Sequence, residues 1–438
     1  MNIKNKTKLG QRTYKLANNL IPGGTMLFSK KPELHLPNLW PNYFSKVKDC
    51  YLWDIDGNKY IDMMFYVGTN ALGYANKKID NKVISSINKG NLSTLNNKEE
   101  VDLARELIKI HPWADMVRFA RSGGEANAIA IRIARANTNK QNVAICGYHG
   151  WHDWYLATNI KSKKNLNQHL LKGIQTKGVP SNLKGSIFPF EYNNFNQLKN
   201  LIKKNKIGVI CMEVMRNDYP KDNFLQKVRQ IANKNNIVLI FDECTSGFRK
   251  NFGGLHLHFK VNPDIAIFGK ALGNGYAITA VLGKKKIMDV AESSFISSTF
   301  WTERSGFTAA IKTIEIMKKK NSKKLIIKKG KKIKKIWNKL SKKHNINIKI
   351  TGIDSICNFI FDYKNSNYLK SLLTYQMLRF GFLSNNTVMI SISHSDKIID
   401  QYEKALDKSF KYISKVINKK IKFTKKIKLA YKGFYRLN

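Results

Sequence analysis

Ile265-Ala266-Ile267-Phe268-Gly269-Lys270-Ala271-Leu272-Gly273-Asn274-Gly275 joins an unbroken apolar run to a lysine and then to a glycine-rich loop. Four apolar residues in a row leave no polar face, so the run reads as a strand covered on both sides. Runs of the same kind recur at 116–119, 143–146, 208–212, 237–241 and 278–282. Most are bounded by Gly, Asn or Asp, and several are separated by helix-length segments. This alternation predicts an α/β layer fold with a largely parallel sheet.

Sheets of that kind bind ligands beyond the carboxyl ends of their strands. Lys270 stands at such an end. A lysine in a partly dry site loses its proton readily and becomes a nucleophile toward carbonyls. Most other lysines of the chain lie in polar runs. The run Ile240-Phe241-Asp242-Glu243-Cys244 places a carboxylate at a second strand end. Asp242 there could pair with a cationic ring nitrogen, although for any single Asp an N-cap or a turn is the commoner role. At a third strand end, Arg121-Ser122-Gly123-Gly124-Glu125-Ala126 opens a helical run of Ala126, Ile129, Ala130, Ile133 and Ala134. Free N–H groups and the positive helix end make such a turn an anion site, good for a phosphate. The same glycines also serve any tight strand-to-helix turn.

Toward the N-terminus, Tyr51-Leu52-Trp53 and Lys59-Tyr60-Ile61 flank Asp54-Ile55-Asp56-Gly57-Asn58, which predicts a hairpin. The acidic turn lacks the later Glu of a calcium loop. Val101, Ala104, Leu107 and Ile108 predict a helix from about Glu99. Toward the C-terminus, residues 311–345 are lysine-dense, yet Ile333, Ile336, Trp337 and Leu340 keep helical spacing. That pattern reads as an amphipathic helix with a solvated basic face. β-prone runs at 357–361 and 388–392 and a helix over 397–416 complete a smaller α+β domain. Residues 419–438 are basic, with Phe423, Tyr431, Phe434 and Tyr435 interleaved, but form no known binding module.

The chain has 438 residues, is 43% hydrophobic, and carries 77 Lys plus Arg against 30 Asp plus Glu, a net charge of +47. Such a field attracts nucleic acid or anionic lipid. Only 12 of the basic residues are Arg, the side chain that planar phosphate recognition favours. Lysine drift on solvated faces, with abundant Asn and Ile, is the preferred reading, and no nucleic-acid partner is expected. The five cysteines (Cys50, Cys146, Cys211, Cys244, Cys357) are scattered, which suits a reducing compartment and offers no metal pair. No apolar run is long enough for a bilayer, and the first residues lack a signal-peptide core. A cytoplasmic protein without a bound metal is expected.

In their order these segments resemble the class III aminotransferases, a family of fold type I pyridoxal-phosphate enzymes. The branch most similar contains glutamate-1-semialdehyde 2,1-aminomutase. The resemblance runs from Ile21-Pro22-Gly23-Gly24 and Trp53–Asp62 through Ser122–Ala126, Gly147-Tyr148-His149-Gly150, Asp242–Arg249 and the Lys270 segment. It ends at Ser298-Thr299-Phe300 and Gln376–Gly381. It implies an N-terminal segment (1–65) packing with the small domain, a large cofactor domain (66–310) and a C-terminal small domain (311–438).

The resemblance also implies roles. Lys270 would carry pyridoxal 5′-phosphate as a Schiff base and then shuttle a proton. Asp242 would keep the ring nitrogen protonated. Ser122, Gly123 and Gly124 would hold the phosphate. Tyr148 would stack on the ring and Cys244 would pack its opposite face. Glu213 matches an active-site glutamate, and Thr299 would reach the phosphate of a neighbouring subunit in a homodimer. Four features depart from the family pattern. Gly124 stands where a Thr is usual, which removes a hydroxyl donor worth about 1.5–3 kcal/mol. Cys244 stands where Val is common. Residues 91–96 and the aromatic-rich stretch 148–155 differ from a semialdehyde aminomutase near the substrate entrance.

The implied activity is amino-group transfer of the aminomutase kind on a small amino substrate. An intermolecular aminotransferase using a keto-acid partner is the alternative. A basic nucleic-acid-binding protein is the remote one and predicts no chromophore. A member that kept the fold and lost catalysis is disfavoured by the presence of both Lys270 and Asp242. Arg249 would hold a substrate carboxylate or bridge structural carboxylates, and the sequence leaves both open.

Overall fold

The computed structural model describes residues 7–170, 172–215, 217–419, 428–431 and 433. Phe423, Phe434 and Tyr435 of the basic C-terminal stretch lie outside the described residues. The chain divides into two compact units: Lys77–Lys323, and Met1–Asn76 together with Lys324–Asn438.

The first unit is built on seven strands: β1 (Met116–Ala120), β2 (Asn142–Cys146), β3 (Ile187–Pro189), β4 (Ile207–Glu213), β5 (Val238–Asp242), β6 (Ile265–Phe268) and β7 (Thr279–Gly283). Their order is β1-β7-β6-β5-β4-β2-β3. Only β7 runs against its neighbours, and the pairs β2–β3, β2–β4, β4–β5 and β5–β6 are parallel. The expected α/β architecture with a mostly parallel sheet is what the chain adopts. Every residue of β4, β5, β6 and β7 is buried, as apolar runs without alternation require. The unanticipated strand is β3. It has three residues and ends in Pro189, so it carries little pattern and sits at the sheet edge, where a missing N–H is tolerated.

Helix Gly123–Thr138 lies on the sheet with Ala126, Ile129, Ala130, Ile133 and Ala134 buried. They share one core with Val209, Cys211, Ile240, Ile265, Ile267 and Val281. Helices Lys77–Ile87 and Lys98–Ile110 both pack on helix Arg304–Lys319. At the amino edge of the sheet, Asp264 accepts from Arg229 Nη1 (2.8 Å), Lys284 Nζ (2.9 Å) and the Leu239 N–H (2.9 Å). One buried carboxylate thus ties the β5, β6 and β7 ends opposite the carboxyl edge, where the chemistry falls.

The second unit holds two small sheets. One orders Phe44–Lys48, Tyr51–Asp54, Lys59–Asp62 and Phe382–Leu383. Its Tyr51–Asp62 hairpin is the one expected, and Asp54 accepts from Asn58 N–H at 2.7 Å to close the turn. Asp56 accepts from the N–H groups of Leu9 (2.7 Å) and Gly10 (2.8 Å), capping helix Lys8–Leu20, which the sequence reading did not anticipate. The other sheet is antiparallel and orders Ile348–Thr351, Ile356–Phe361 and Thr387–Met389. Trp337 donates to the Tyr402 hydroxyl at 3.0 Å, pinning helix Ser322–Lys343 to helix Asp396–Ile417. The basic face of the first of these helices is not wholly solvated. Lys332, Lys339 and Lys343 meet Asp400, Glu403 and Asp407 on the second, each at 2.8 Å. Such exposed pairs contribute little stability each, but they offset local lysine repulsion. Among the described residues no helix is long and apolar enough to cross a membrane.

Candidate active site

The parallel strands deliver their chemistry to one edge. Ala120 at the end of β1 leads into Arg121, Ser122 and Gly123. Cys146 leads into Gly147 and Tyr148, β4 ends on Glu213, β5 ends on Asp242, and β6 leads into Gly269 and Lys270. Glu213 and Asp242 are direct partners on adjacent strands, and Asp242 faces Ile267 on the other side.

Asp242 is 4% exposed and fully engaged. Its Oδ2 accepts from Asn127 Nδ2 and His149 Nδ1, both at 2.9 Å, and its Oδ1 accepts from the Cys244 N–H at 3.0 Å. Burial pushes the carboxyl upward, but His149, the Cys244 N–H and Asn127 outweigh it and hold Asp242 below the usual range. Burial likewise works against a charged His149, and Cys211 and Asp242 prevail, raising it well above the ordinary histidine range. A carboxylate has about four acceptor positions, so this one retains capacity for one more donor.

Lys270 sits in the left-handed region at φ +45°, unusual for a residue with a side chain. Strain of this kind persists where surroundings impose it and clusters at functional sites. Its Nζ donates to Thr245 Oγ1 at 2.6 Å. Burial depresses the ammonium below the normal lysine range, against the pull of Cys244, Glu213 and Asp242, and Arg249 adds to the depression. Lys270 and Asp242 form no ion pair with each other, since each is held by other partners.

Gly123 and Gly124 are the first two residues of their helix, positions whose N–H groups find no partner inside a helix. Ser122 caps it, accepting from Glu125 N–H, and Glu125 Oε2 accepts from Ser122 N–H at 2.7 Å. A Cβ on Gly123 would lie 3.3 Å from Cys244 Sγ. This turn therefore lies against Cys244. Burial, reinforced by Asp242, raises the Cys244 thiol well above its usual range, so it packs as a neutral group. Tyr148 donates its N–H to Glu213 Oε2 at 3.2 Å. A Cβ on Gly147 (φ +120°) would meet that same oxygen at 2.6 Å, so glycine is required there.

Ser122, Gly123, Gly124, Tyr148, Glu213, Asp242, Cys244 and Lys270 are thus gathered on one edge. Thr299 lies in a turn that borders this edge, since Arg121 Nε donates to the Phe300 carbonyl at 2.7 Å and Trp301 donates to Glu125 Oε1 at 3.2 Å. It is exposed, in the short turn Thr299–Thr302. Arg249 bridges no carboxylate among the described residues. It is 1% exposed, its Nε donates to the Thr245 carbonyl at 2.9 Å, and its terminal nitrogens have no partner. Burial pushes its guanidinium down to about 10.

Asn127, His149 and Thr245 carry the supporting contacts and received no role from the sequence. His149 and Thr245 lie inside quoted motifs. Asn127 follows Gly123 by one helical turn and donates to its carbonyl at 2.9 Å. Glu243, beside Asp242 in sequence, serves packing. It is completely buried, accepting from Ser246, Leu255 N–H and His256.

The fit to a phosphorylated pyridine aldehyde is direct. An amine, an ionised carboxylate with spare acceptor capacity and a free helix N-terminus share one edge, and none of the three neutralises another. A parallel α/β sheet with that edge defines a pyridoxal-phosphate enzyme. The chain belongs to the class III aminotransferases, whose family model matches residues 38–396, and its cofactor is pyridoxal 5′-phosphate. The chain is 34% identical over 371 residues to the 3-aminobutyryl-CoA aminotransferase of Cloacimonas acidaminovorans, covering 82% of this chain and 85% of the relative. It is 31% identical over 396 residues to the glutamate-1-semialdehyde 2,1-aminomutase of Methanocaldococcus jannaschii, covering 85% and 92%. In fold it is similar to the FumI protein of Sphingopyxis sp. MTA144, solved in its PLP internal aldimine form, with a TM-score of 0.83 at 22% identity, covering 93% and 97%.

Proposed function

We propose that the chain transfers an amino group between two small molecules, with Lys270 as the residue that holds the cofactor. The observation that carries this reading is the convergence of Lys270, Asp242 and the Gly123–Gly124 turn on the carboxyl edge of β1, β5 and β6. When bound, the cofactor supplies a cationic ring that takes up electron density from the substrate carbon. Lys270 would hold the cofactor through its aldehyde, and its depressed amine would move a proton at the substrate carbon. Asp242 would hold a proton on the ring nitrogen, and His149, Asn127 and the Cys244 N–H fix its oxygens. Tyr148 and Cys244 would flank the ring, and Glu213 holds the Tyr148 loop through its N–H. Ser122, Gly123 and Gly124 bind the phosphate at the positive end of their helix.

Thr299 completes the phosphate site of a second copy, so the working unit is a homodimer. Exposed apolar side chains near it support this: Phe300 is 68% exposed and Leu95 81%. The two segments are neighbours, since Asn97 Nδ2 donates to the Thr302 carbonyl at 2.8 Å. Apolar surface of this kind marks an interface.

Transfer to a separate keto-acid acceptor is the preferred form. The aminotransferase relative supports it, as do the departures at residues 91–96 and 148–155 from an aminomutase. The mutase form is the second reading, supported by the 31% relatives. The net charge of +47 would draw an anionic amine to either. A screen of amino compounds, read as loss of the holoenzyme's visible absorbance, tests the proposal. Turnover that requires an added keto acid supports transfer. A product isomeric with its substrate, formed without a partner, replaces it with the mutase reading. No spectral response to any amine overturns both.

A further inference from the structure

The space beside Gly124 is already filled. A Cβ there would lie 2.8 Å from both Cε1 and Nδ1 of His152, and 3.6 Å from Trp151 Cδ1. The loop that brings His152 is pressed onto the same turn, because a Cβ on Gly150 would lie 2.8 Å from Gly124 Cα. Gly150 also sits at φ +102°, so two glycines permit one close approach. The His152 ring stacks on Trp151 with centroids 4.7 Å apart, and its carbonyl accepts from Tyr155 and Leu156 N–H groups. The backbone is therefore held, and the ring is packed between Trp151 and the Gly124 turn. Yet, although the residue is only half-buried, its Nδ1 is buried and has no hydrogen-bond partner among the described residues. A buried ring nitrogen left without a partner is costly. It stands about where the side chain of residue 124 would project, beside the unfilled N–H groups of Gly123 and Gly124.

We propose that His152 donates a hydrogen bond from Nδ1 to the cofactor phosphate at the Gly123–Gly124 turn, taking the place of the side chain that Gly124 lacks. The proposal rests on the reading that the phosphate lies at this turn. Glu125 does not take the donor: its Oε2 accepts from Arg121 and Ser122 N–H and its Oε1 from Trp301, and among the described residues His152 Nδ1 makes no bond to it. His152 is then a cofactor-binding residue, and the glycine at 124 is a consequence of it rather than a defect.

The test is cofactor affinity in the full chain, measured for pyridoxal 5′-phosphate and for pyridoxal, which has no phosphate. His152→Ala should weaken pyridoxal 5′-phosphate by about 10- to 100-fold and leave pyridoxal unchanged. His152→Asn, which keeps an N–H donor near the same place, should recover affinity to within about tenfold of wild type. Gly124→Thr combined with His152→Ala should bind more tightly than His152→Ala alone, because the hydroxyl then has both room and a role. An affinity for pyridoxal 5′-phosphate within about twofold of wild type in His152→Ala overturns the proposal, as does an equal loss for both ligands. Wild-type protein that binds pyridoxal as tightly as its phosphate would instead sink the placement of the phosphate itself.

Discussion

Lys270→Ala is expected to lower turnover by at least about 10⁴-fold, because one side chain serves both as the cofactor's anchor and as the proton carrier. Lys270 lies two residues past β6, in the middle of the sheet, with Asp242 ending the adjacent strand β5 and Glu213 ending β4 beyond it. Burial lowers its affinity for a proton, which favours the reactive neutral amine. Thr245 holds the nitrogen at 2.6 Å and gives it a defined direction. The variant should still fold, since its core contacts come from Ala271 and Leu272 rather than from Lys270. It should lose the yellow colour expected of the wild-type holoprotein. Turnover within about tenfold of wild type, in protein with an unchanged far-ultraviolet circular dichroism spectrum, would remove Lys270 from the chemistry.

Asp242→Asn should be nearly as damaging, with a loss of about 10²–10³-fold in kcat/KM and a marked drop in thermal stability. The substitution removes the carboxylate that pairs with His149 and leaves a buried imidazolium without its counter-ion, a change that typically costs about 3–5 kcal/mol. It also removes the charge that would keep the cofactor ring protonated. The pH dependence has a definite sign. Asp242 is held below the ordinary carboxylate range in the folded protein, so it binds fewer protons folded than unfolded. Its stabilisation is complete above an unfolded pKa of about 4 and fades only as pH falls through the lower folded value. Wild-type protein should therefore keep this contribution at pH 5, and Asp242→Asn should lack it at every pH above that window. Equal melting temperatures for the two proteins at pH 7 would contradict the account.

What could be read from sequence was what local pattern records. The strands at β4, β5, β6 and β7 were legible because burial on both faces forces continuous apolar runs. Lys270, Asp242 and the Gly123–Gly124 turn were legible because each ends such a run. Helix Lys8–Leu20 was not, because it buries only Gly10, Tyr14 and Ala17 and takes its cap from Asp56 of the hairpin. The supporting residues escaped for the same reason. Asn127 reaches Asp242 across 115 positions, His149 across 93, and Thr245 meets Lys270 across 25. No periodicity or spacing carries contacts of that length. The lysine-rich helix was read as solvated because its acidic partners, Asp400, Glu403 and Asp407, lie on a helix far along the chain.

The central claim is that three groups distant in sequence, one basic, one acidic and one a bare backbone turn, enclose a single aromatic aldehyde. Borohydride reduction of the purified holoprotein, followed by peptide mass mapping, tests it most directly. The account predicts bleaching of the colour and a pyridoxyl phosphate mass on the peptide bearing Lys270 alone. A label absent there, or spread over the many surface lysines, would contradict it.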